Sequence, residues 1–160
     1  MYTLGKRVLF GLLLGGWMFL IFSFSAQTGE TSSALSSNVT NHFIKIIKPD
    51  YPSLSRTEQE NYYNNVHLFV RKTAHFTEYA ILAVFCFLFL STFQNGKNYK
   101  IKLTILFCLI FACLDEWHQS FISERTPQVL DVLIDTSGTI IGVVICWYVS
   151  HLIKKDKTKK

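Results

Sequence analysis

Ionisable side chains recur at helical spacing inside otherwise apolar stretches of this 160-residue chain. Arg71, His75 and Glu78 are separated by four and three positions and share one helix face, with Lys72 and Tyr79 beside His75. Asp115, Glu116, His118 and Gln119 crowd the end of the next apolar stretch, and Arg125 follows. Asp131, Asp135, Gly138 and Gly142 then recur at four, three and four, a stripe that begins acidic and becomes small. These types at these spacings point to distinct chemistries. Arg71, Lys72 and Arg125 fit anionic oxygen, as in a phosphate, with Gln119 and the carboxylates orienting the rest. A histidine next to a carboxylate serves as general acid or base, which makes His75, Glu78, Asp115, Glu116 and His118 the catalytic candidates. Crowded carboxylates also share protons or gather a divalent cation. No recognised metal box is present and no cofactor is expected.

The elements carrying these residues are apolar: 49% of the chain is hydrophobic, 17% is charged and the mean hydropathy is +0.25. Crossing a bilayer in a helix takes about 20 residues. Four stretches qualify, at 8–26, 73–93, 103–122 and 129–153, and the polar periodicity of a soluble bundle is missing from them. The predicted fold is therefore an all-α membrane protein, a four-helix transmembrane bundle forming a single domain over 1–160. Lys6 and Arg7 ahead of the first stretch, with small residues from Ser23 to Ala26, also fit a cleaved leader. The length of that stretch and its Gly11-Leu12-Leu13-Leu14-Gly15 spacing favour a retained helix.

Basic residues outnumber acidic ones by 16 to 11. Lys6, Arg7, Lys97, Lys100, Lys102 and the tail lysines 154, 155, 157, 159 and 160 place ten on one side. Lys45, Lys48, Arg56, Arg71, Lys72 and Arg125 place six on the other, over longer sequence. Positive residues stay inside, so both termini are expected to be cytoplasmic and the 27–70 loop to be outside. The basic tail at 154–160 then meets anionic lipid. No folded basic region remains for nucleic acid, so the lipid bilayer is the expected partner. The polar clusters all fall at the outer ends of their helices, together with Ser23, Ser25 and Gln27, and form one outward-opening pocket.

The outer loop is partly helical. Val39, Phe43, Ile46 and Ile47 recur at helical spacing, Ser55 with Glu58 forms a capping box, and Tyr62, Val66, Phe69 and Val70 continue an apolar face. Pro49 and Pro52 separate the two pieces. Amphipathic helices lying on the outer leaflet, with Tyr62 and Tyr63 at headgroup level, compete with a small lid packed over the bundle. Cys86, Cys108, Cys113 and Cys146 read as buried small hydrophobes. Trp17, Trp117 and Trp147 read as packing or interface anchors. Gly138 and Gly142 are expected to pack closely against the matching glycines of helix one.

Each polar residue taken alone also fits interhelical hydrogen bonding. As a set they do not, because each ionisable group at membrane depth costs about 2.5 to 3.5 kcal/mol and the cytoplasmic halves of the helices stay apolar.

Asp115-Glu116-Trp117-His118-Gln119, then Arg125-Thr126, then Asp131-Val132-Leu133-Ile134-Asp135 with Gly138, resembles the signature of VanZ-like membrane proteins. Lys72-Thr73-Ala74-His75-Phe76-Thr77-Glu78-Tyr79 resembles a second block of that family, and Ser23-Phe24-Ser25-Ala26-Gln27 its first-helix exit. The resemblance implies a small multi-pass protein of the bacterial cell membrane, in a family some members of which are associated with resistance to teicoplanin and related glycopeptide antibiotics. It implies no settled chemistry. The chain departs from the pattern at Asp135, where Asn is common, and at Ser123-Glu124, where Pro-Gly is common.

Three functions follow as expectations. The first is a cell-envelope protein whose outer pocket, formed by Arg71, Lys72, His75, Glu78, Asp115, Glu116, Gln119, Arg125, Asp131 and Asp135, binds a lipid-linked or phosphate-bearing headgroup. The second is an intramembrane acid/base or metal-assisted enzyme on a lipid-linked substrate. The third is a proton-coupled carrier or an envelope scaffold. Oligomeric state is not legible in the residues.

Overall fold

The computed structural model describes residues 4–93 and 96–157. Five α-helices follow one another: α1 (Leu4–Ser25), α2 (Gly29–Ile47), α3 (Arg56–Leu90), α4 (Lys97–Gln119) and α5 (Val129–Lys157), with one 3-10 turn at Tyr51–Ser53 between α2 and α3. No strand occurs among the described residues. Lys159 and Lys160 of the basic tail lie outside the described residues, as do the side chains of Lys154 and Lys157.

α3 is the organising element, in contact with each of the other four helices. Its buried residues Tyr79, Leu82, Ala83 and Cys86 meet Leu14 and Ile21 of α1, Cys108 and Ala112 of α4, and Val143 of α5 in one core. Around that core the helices remain apolar on their outer surfaces, as at Leu12, Phe19, Ile140, Val144 and Tyr148, all exposed. A water-facing surface of that kind is unfavourable, and hydrocarbon is the solvent that suits it. α1 makes the point most clearly, since its 22 residues bury only Leu14, Ile21 and Ser25.

Three helices, α1, α3 and α5 as far as Ile153, are long and apolar enough to cross a membrane. α4, expected as a fourth span over 103–122, falls short of that measure. Lys97, Lys100 and Lys102 begin it and Asp115 and Glu116 end it, leaving a short apolar stretch whose Thr104, Cys108 and Ala112 are buried against its neighbours. At one end of the assembly Arg7 lies over the Phe93 ring and donates to the Thr92 carbonyl, while Lys97 lies over the Trp147 ring and donates to the Trp147 carbonyl at 3.4 Å. The start of α1 thus meets the end of α3, and the start of α4 meets the far part of α5.

The loop at 27–70 is helical for most of its length, and its second helix continues into the span. The capping box is present: Ser55 Oγ accepts from the Glu58 amide, and Glu58 Oε2 accepts from the Ser55 amide at 3.0 Å. The helix it starts does not stop before the span. α3 runs uninterrupted for 35 residues, about 52 Å at 1.5 Å per residue, against about 30 Å of hydrocarbon. Its first four turns cannot lie flat on a leaflet while the same rod crosses it. α2 packs against α3, with Phe43 stacked on Phe69 at 6.5 Å, and Tyr51 of the 3-10 turn lies against Tyr62 at 6.0 Å. Thr40 and Ile44 are buried in this hairpin.

Two smaller expectations are corrected. Gly138 and Gly142 do not meet the glycines of α1. They receive the backbone of α3, where an added Cβ would lie 2.1 Å from the Phe76 carbonyl oxygen and 2.3 Å from that of Ala80. A Cβ on Gly15 would meet nothing within 4 Å among the described residues and one on Gly11 would meet the Phe89 ring at 3.4 Å, so the α1 motif seats no second backbone there. Cys86, Cys108 and Cys146 are buried as expected, whereas Cys113 is exposed on the outside of α4.

Candidate functional site

A cavity of about 640 Å³ lies between α1, α2 and α3, with the end of α4 and the α4–α5 turn reaching into it. That size suits a lipid headgroup or other small ligand. Arg71, His75, Glu78, Asp115 and Arg125 line it, five of the ten pocket residues named from the sequence, accompanied by Ser25 and Gln27 at the end of α1.

Arg125 is placed by three acceptors on separate segments: Nε donates to the Gln27 carbonyl at 3.2 Å, Nη2 to the Phe24 carbonyl at 3.1 Å, and Nη1 to Gln119 Oε1 at 3.2 Å. Gln119 passes the contact on, donating through Nε2 to Asp115 Oδ2 at 2.9 Å. Glu116 Oε2 accepts from the Gln128 amide at 2.8 Å and so ties α4 to the approach of α5. Glu116 and Gln119 are buried supports of the turn and do not line the cavity. His118 stacks against Phe22 of α1 at 4.3 Å and also lies outside the cavity lining.

Lys72, Asp131 and Asp135 occupy the α3–α5 seam. Lys72 forms an ion pair with Asp131, and one turn further His75 Nδ1 lies 3.7 Å from Asp135 Oδ1. Asp135 is 1% exposed and neither of its carboxylate oxygens has a hydrogen-bond partner. Below it come Gly138 and Gly142, whose missing side chains let the two backbones touch. The acidic-to-small stripe on α5 is therefore the face that α3 packs against, polar at one end and closely apposed at the other. His75 belongs to both regions, lining the cavity while its Nδ1 faces Asp135.

The cavity lining carries two basic side chains, Arg71 and Arg125, and two acidic ones, Glu78 and Asp115, without a direct ion pair between them. No carboxylate among the described residues lies within ion-pair distance of Arg71 or Arg125. Arg71 is half-buried in the lining and makes no hydrogen bond with the described residues. Glu78 likewise has no side-chain hydrogen-bond partner among the described residues, although its backbone carbonyl accepts from Trp17 Nε1 at 2.9 Å. Among the described residues no three His, Cys, Asp or Glu side chains converge in a way that could hold a metal ion.

Sequence reasoning missed that α2 walls the cavity. Ser32, Leu35, Ser36, Val39 and Phe43 line it at steps of three, one, three and four, a helical face for which a leaflet surface and a lid over the bundle stood as alternatives. It also missed the clasp that seats α2. Thr28 Oγ1 accepts from the Thr31 amide, the Gly29 amide donates to the Ser123 carbonyl at 3.2 Å, and the Glu30 amide donates to Glu124 Oε2 at 3.1 Å. A Cβ on Gly29 would lie 2.3 Å from the Glu124 carbonyl oxygen, so only glycine allows this approach.

Apolar helices of spanning length around a largely apolar cavity that carries a few charged side chains fit a helical membrane protein with a ligand-sized site. The family model described as VanZ/LLP1 matches residues 10–153, nearly the entire chain, and the protein belongs to that family. The match bears out the resemblance carried by the helix-end motifs. No curated protein and no solved structure matches the chain.

Proposed function

We propose that this VanZ-family protein crosses the bacterial cell membrane four times, with both termini cytoplasmic, and that its cavity opens at the outer leaflet to bind a phosphate-bearing or lipid-linked envelope headgroup. The observation that carries this reading is the pair Arg71 and Arg125. Both line the cavity, and neither has a carboxylate counter-ion among the described residues. An unpaired guanidinium in a partly buried site is unfavourable until an anion reaches it, and its planar donors match phosphate oxygens. Arg125 is held in place by carbonyls and an amide, which fix its orientation without a direct ion pair, although Glu78 and Asp115 line the same cavity. Binding or retaining such headgroups at the surface is the route by which this protein would contribute to glycopeptide tolerance, teicoplanin included.

Arg71 gives the cleaner test because it holds nothing else in the fold. Headgroup-resolved mass spectrometry of lipids retained by the purified protein should show phosphate-bearing species depleted about tenfold or more in Arg71→Gln, the loss of one charge-assisted hydrogen bond. An unchanged lipid complement would sink the reading. In cells, Arg125→Glu at equal membrane abundance should abolish any glycopeptide phenotype of the native protein.

A second reading, an intramembrane acid/base enzyme, is favoured by one observation: His75 lines the cavity with Asp135 behind it at 3.7 Å. A carboxylate behind an imidazole orients it and stabilises its protonated form. Asp135→Asn keeps the shape and removes that support, so turnover of lipid-linked precursors by purified protein should fall about 100-fold or more while folding is retained. Equal turnover by both forms would exclude His75–Asp135 as the catalytic pair.

A further inference from the structure

The cavity presents opposite charges that its own framework holds apart. On α3, Arg71 and Glu78 both line it, and two helical turns separate them, a rise of about 10 Å. At the end of α4, Asp115 and Arg125 are linked only through Gln119, whose Oε1 accepts from Arg125 Nη1 at 3.2 Å and whose Nε2 donates to Asp115 Oδ2 at 2.9 Å. A neutral amide thus fixes the guanidinium and the carboxylate one side chain apart and keeps them from closing on each other. The acidic half is also short of donors. Asp115 is 4% exposed, and its Oδ1 has no hydrogen-bond partner. Ser25, also in the lining and 4% exposed, carries a hydroxyl without one. The Glu78 side chain makes no hydrogen bond with the described residues and lies near enough to Asp115 for the two carboxylates to repel. An acid bound at Arg71 and Arg125 satisfies the basic half alone and leaves two desolvated carboxylates close together, which is unfavourable.

Resting on the headgroup reading above, we propose that the ligand is a zwitterion, a phosphate joined by a short link to a primary ammonium, bound with its phosphate at Arg71 and Arg125 and its ammonium at Glu78 and Asp115. Such a ligand answers both halves of the cavity at once. A primary ammonium brings three N–H donors, and the Glu78 carboxylate, Asp115 Oδ1 and the Ser25 hydroxyl are the acceptors that the fold leaves open to it. A quaternary ammonium carries the same charge and no donor, so it leaves those oxygens unsatisfied. The chemistry is that of an ethanolamine phosphate, free or carried by a lipid.

The test titrates the full chain in detergent with phosphatidylethanolamine, phosphatidylcholine and phosphatidylglycerol of identical acyl chains, and reads occupancy by native mass spectrometry. Phosphatidylethanolamine should bind about tenfold or more tightly than the other two, the worth of one charge-assisted hydrogen bond. Glu78→Gln and Asp115→Asn keep the shape of each side chain, and each should erase that preference; Arg71→Gln should weaken all three lipids. Equal binding of the three, all weakened by Arg71→Gln, would overturn the zwitterion and leave the phosphate reading standing, as would a preference that survives both carboxylate exchanges. Binding unmoved by Arg71→Gln would overturn both. Displacement of phosphatidylethanolamine by glycerophosphoethanolamine supports recognition of the free headgroup, whereas a preference that this soluble form does not displace supports the lipid-borne one.

Discussion

Glu124 shows how one residue can serve two opposed purposes. It is the non-glycine residue with positive φ among those described, at 61°, in the left-handed region that costs an L side chain about 1 to 2 kcal/mol. Its carboxylate accepts from the Glu30 amide at the first turn of α2, where an anion is favourable. The Ser123-Glu124 pair, noted from the sequence as a departure from Pro-Gly, thus exchanges backbone ease for a contact with α2. Glu124→Gly and Glu124→Ala both lose that contact, but only glycine relieves the backbone. The glycine variant should be the more stable of the two by about 1 kcal/mol in thermal melts of the solubilised protein. Equal stability would show that the turn relaxes away from the left-handed conformation. Lys72 and Asp131 offer a second test, because their ion pair crosses the α3–α5 seam. Either single reversal should destabilise by about 3 kcal/mol, the cost of leaving a partly buried charge unpaired, and the double reversal should recover most of it.

Among the elements, α3 and α5 form the seam on which the rest depends. The four-residue spacing of Gly138 and Gly142 was legible, but its partner was not, because a small-residue stripe says only that a backbone comes close. Gly138→Ala and Gly142→Ala drive a methyl group into a carbonyl of α3 and should each cost about 3 kcal/mol or more, read as loss of the folded, monodisperse fraction in detergent. Gly15→Ala meets open space and should leave that fraction unchanged. α2 and the start of α3 make the opposite case. Their apolar periodicity was visible, and the Ser55 capping box marked the start of α3 correctly. What periodicity did not reveal was that the Ser55 helix and the following span are one rod, since the polar-to-apolar change near Arg71 looks the same whether the chain breaks or continues. Ser55→Ala should loosen the first turn of α3 by about 1 kcal/mol and raise amide exchange there without altering the Tyr79–Cys86 core.

At the scale of the molecule, the arrangement makes sense only in a bilayer, and the orientation proposed here has a direct check. In a cysteine-free background, cysteines at positions 64 and 126 should react with a membrane-impermeant maleimide added outside intact cells, and cysteines at 100 and 155 only after permeabilisation. Labelling of 64 and 126 from opposite sides would mean that α4 does not cross and that the polar belt is not a single layer. The all-helical character, three of the spanning segments, the capping box and family membership were open to reading in the residues. Those features are local: a run of apolar side chains, a hydroxyl three positions before a carboxylate, and an ordered set of motifs depend on neighbours in the chain. The partners were not open to it. That Arg125 grips the end of α1, that Lys72 pairs with Asp131 while Arg71 has no ion pair among the described residues, that Asp135 lies behind His75, and that α2 walls the cavity all follow from helices meeting across gaps of roughly 26 to a hundred residues. Helical spacing names the face a residue occupies, and only packing selects what that face meets.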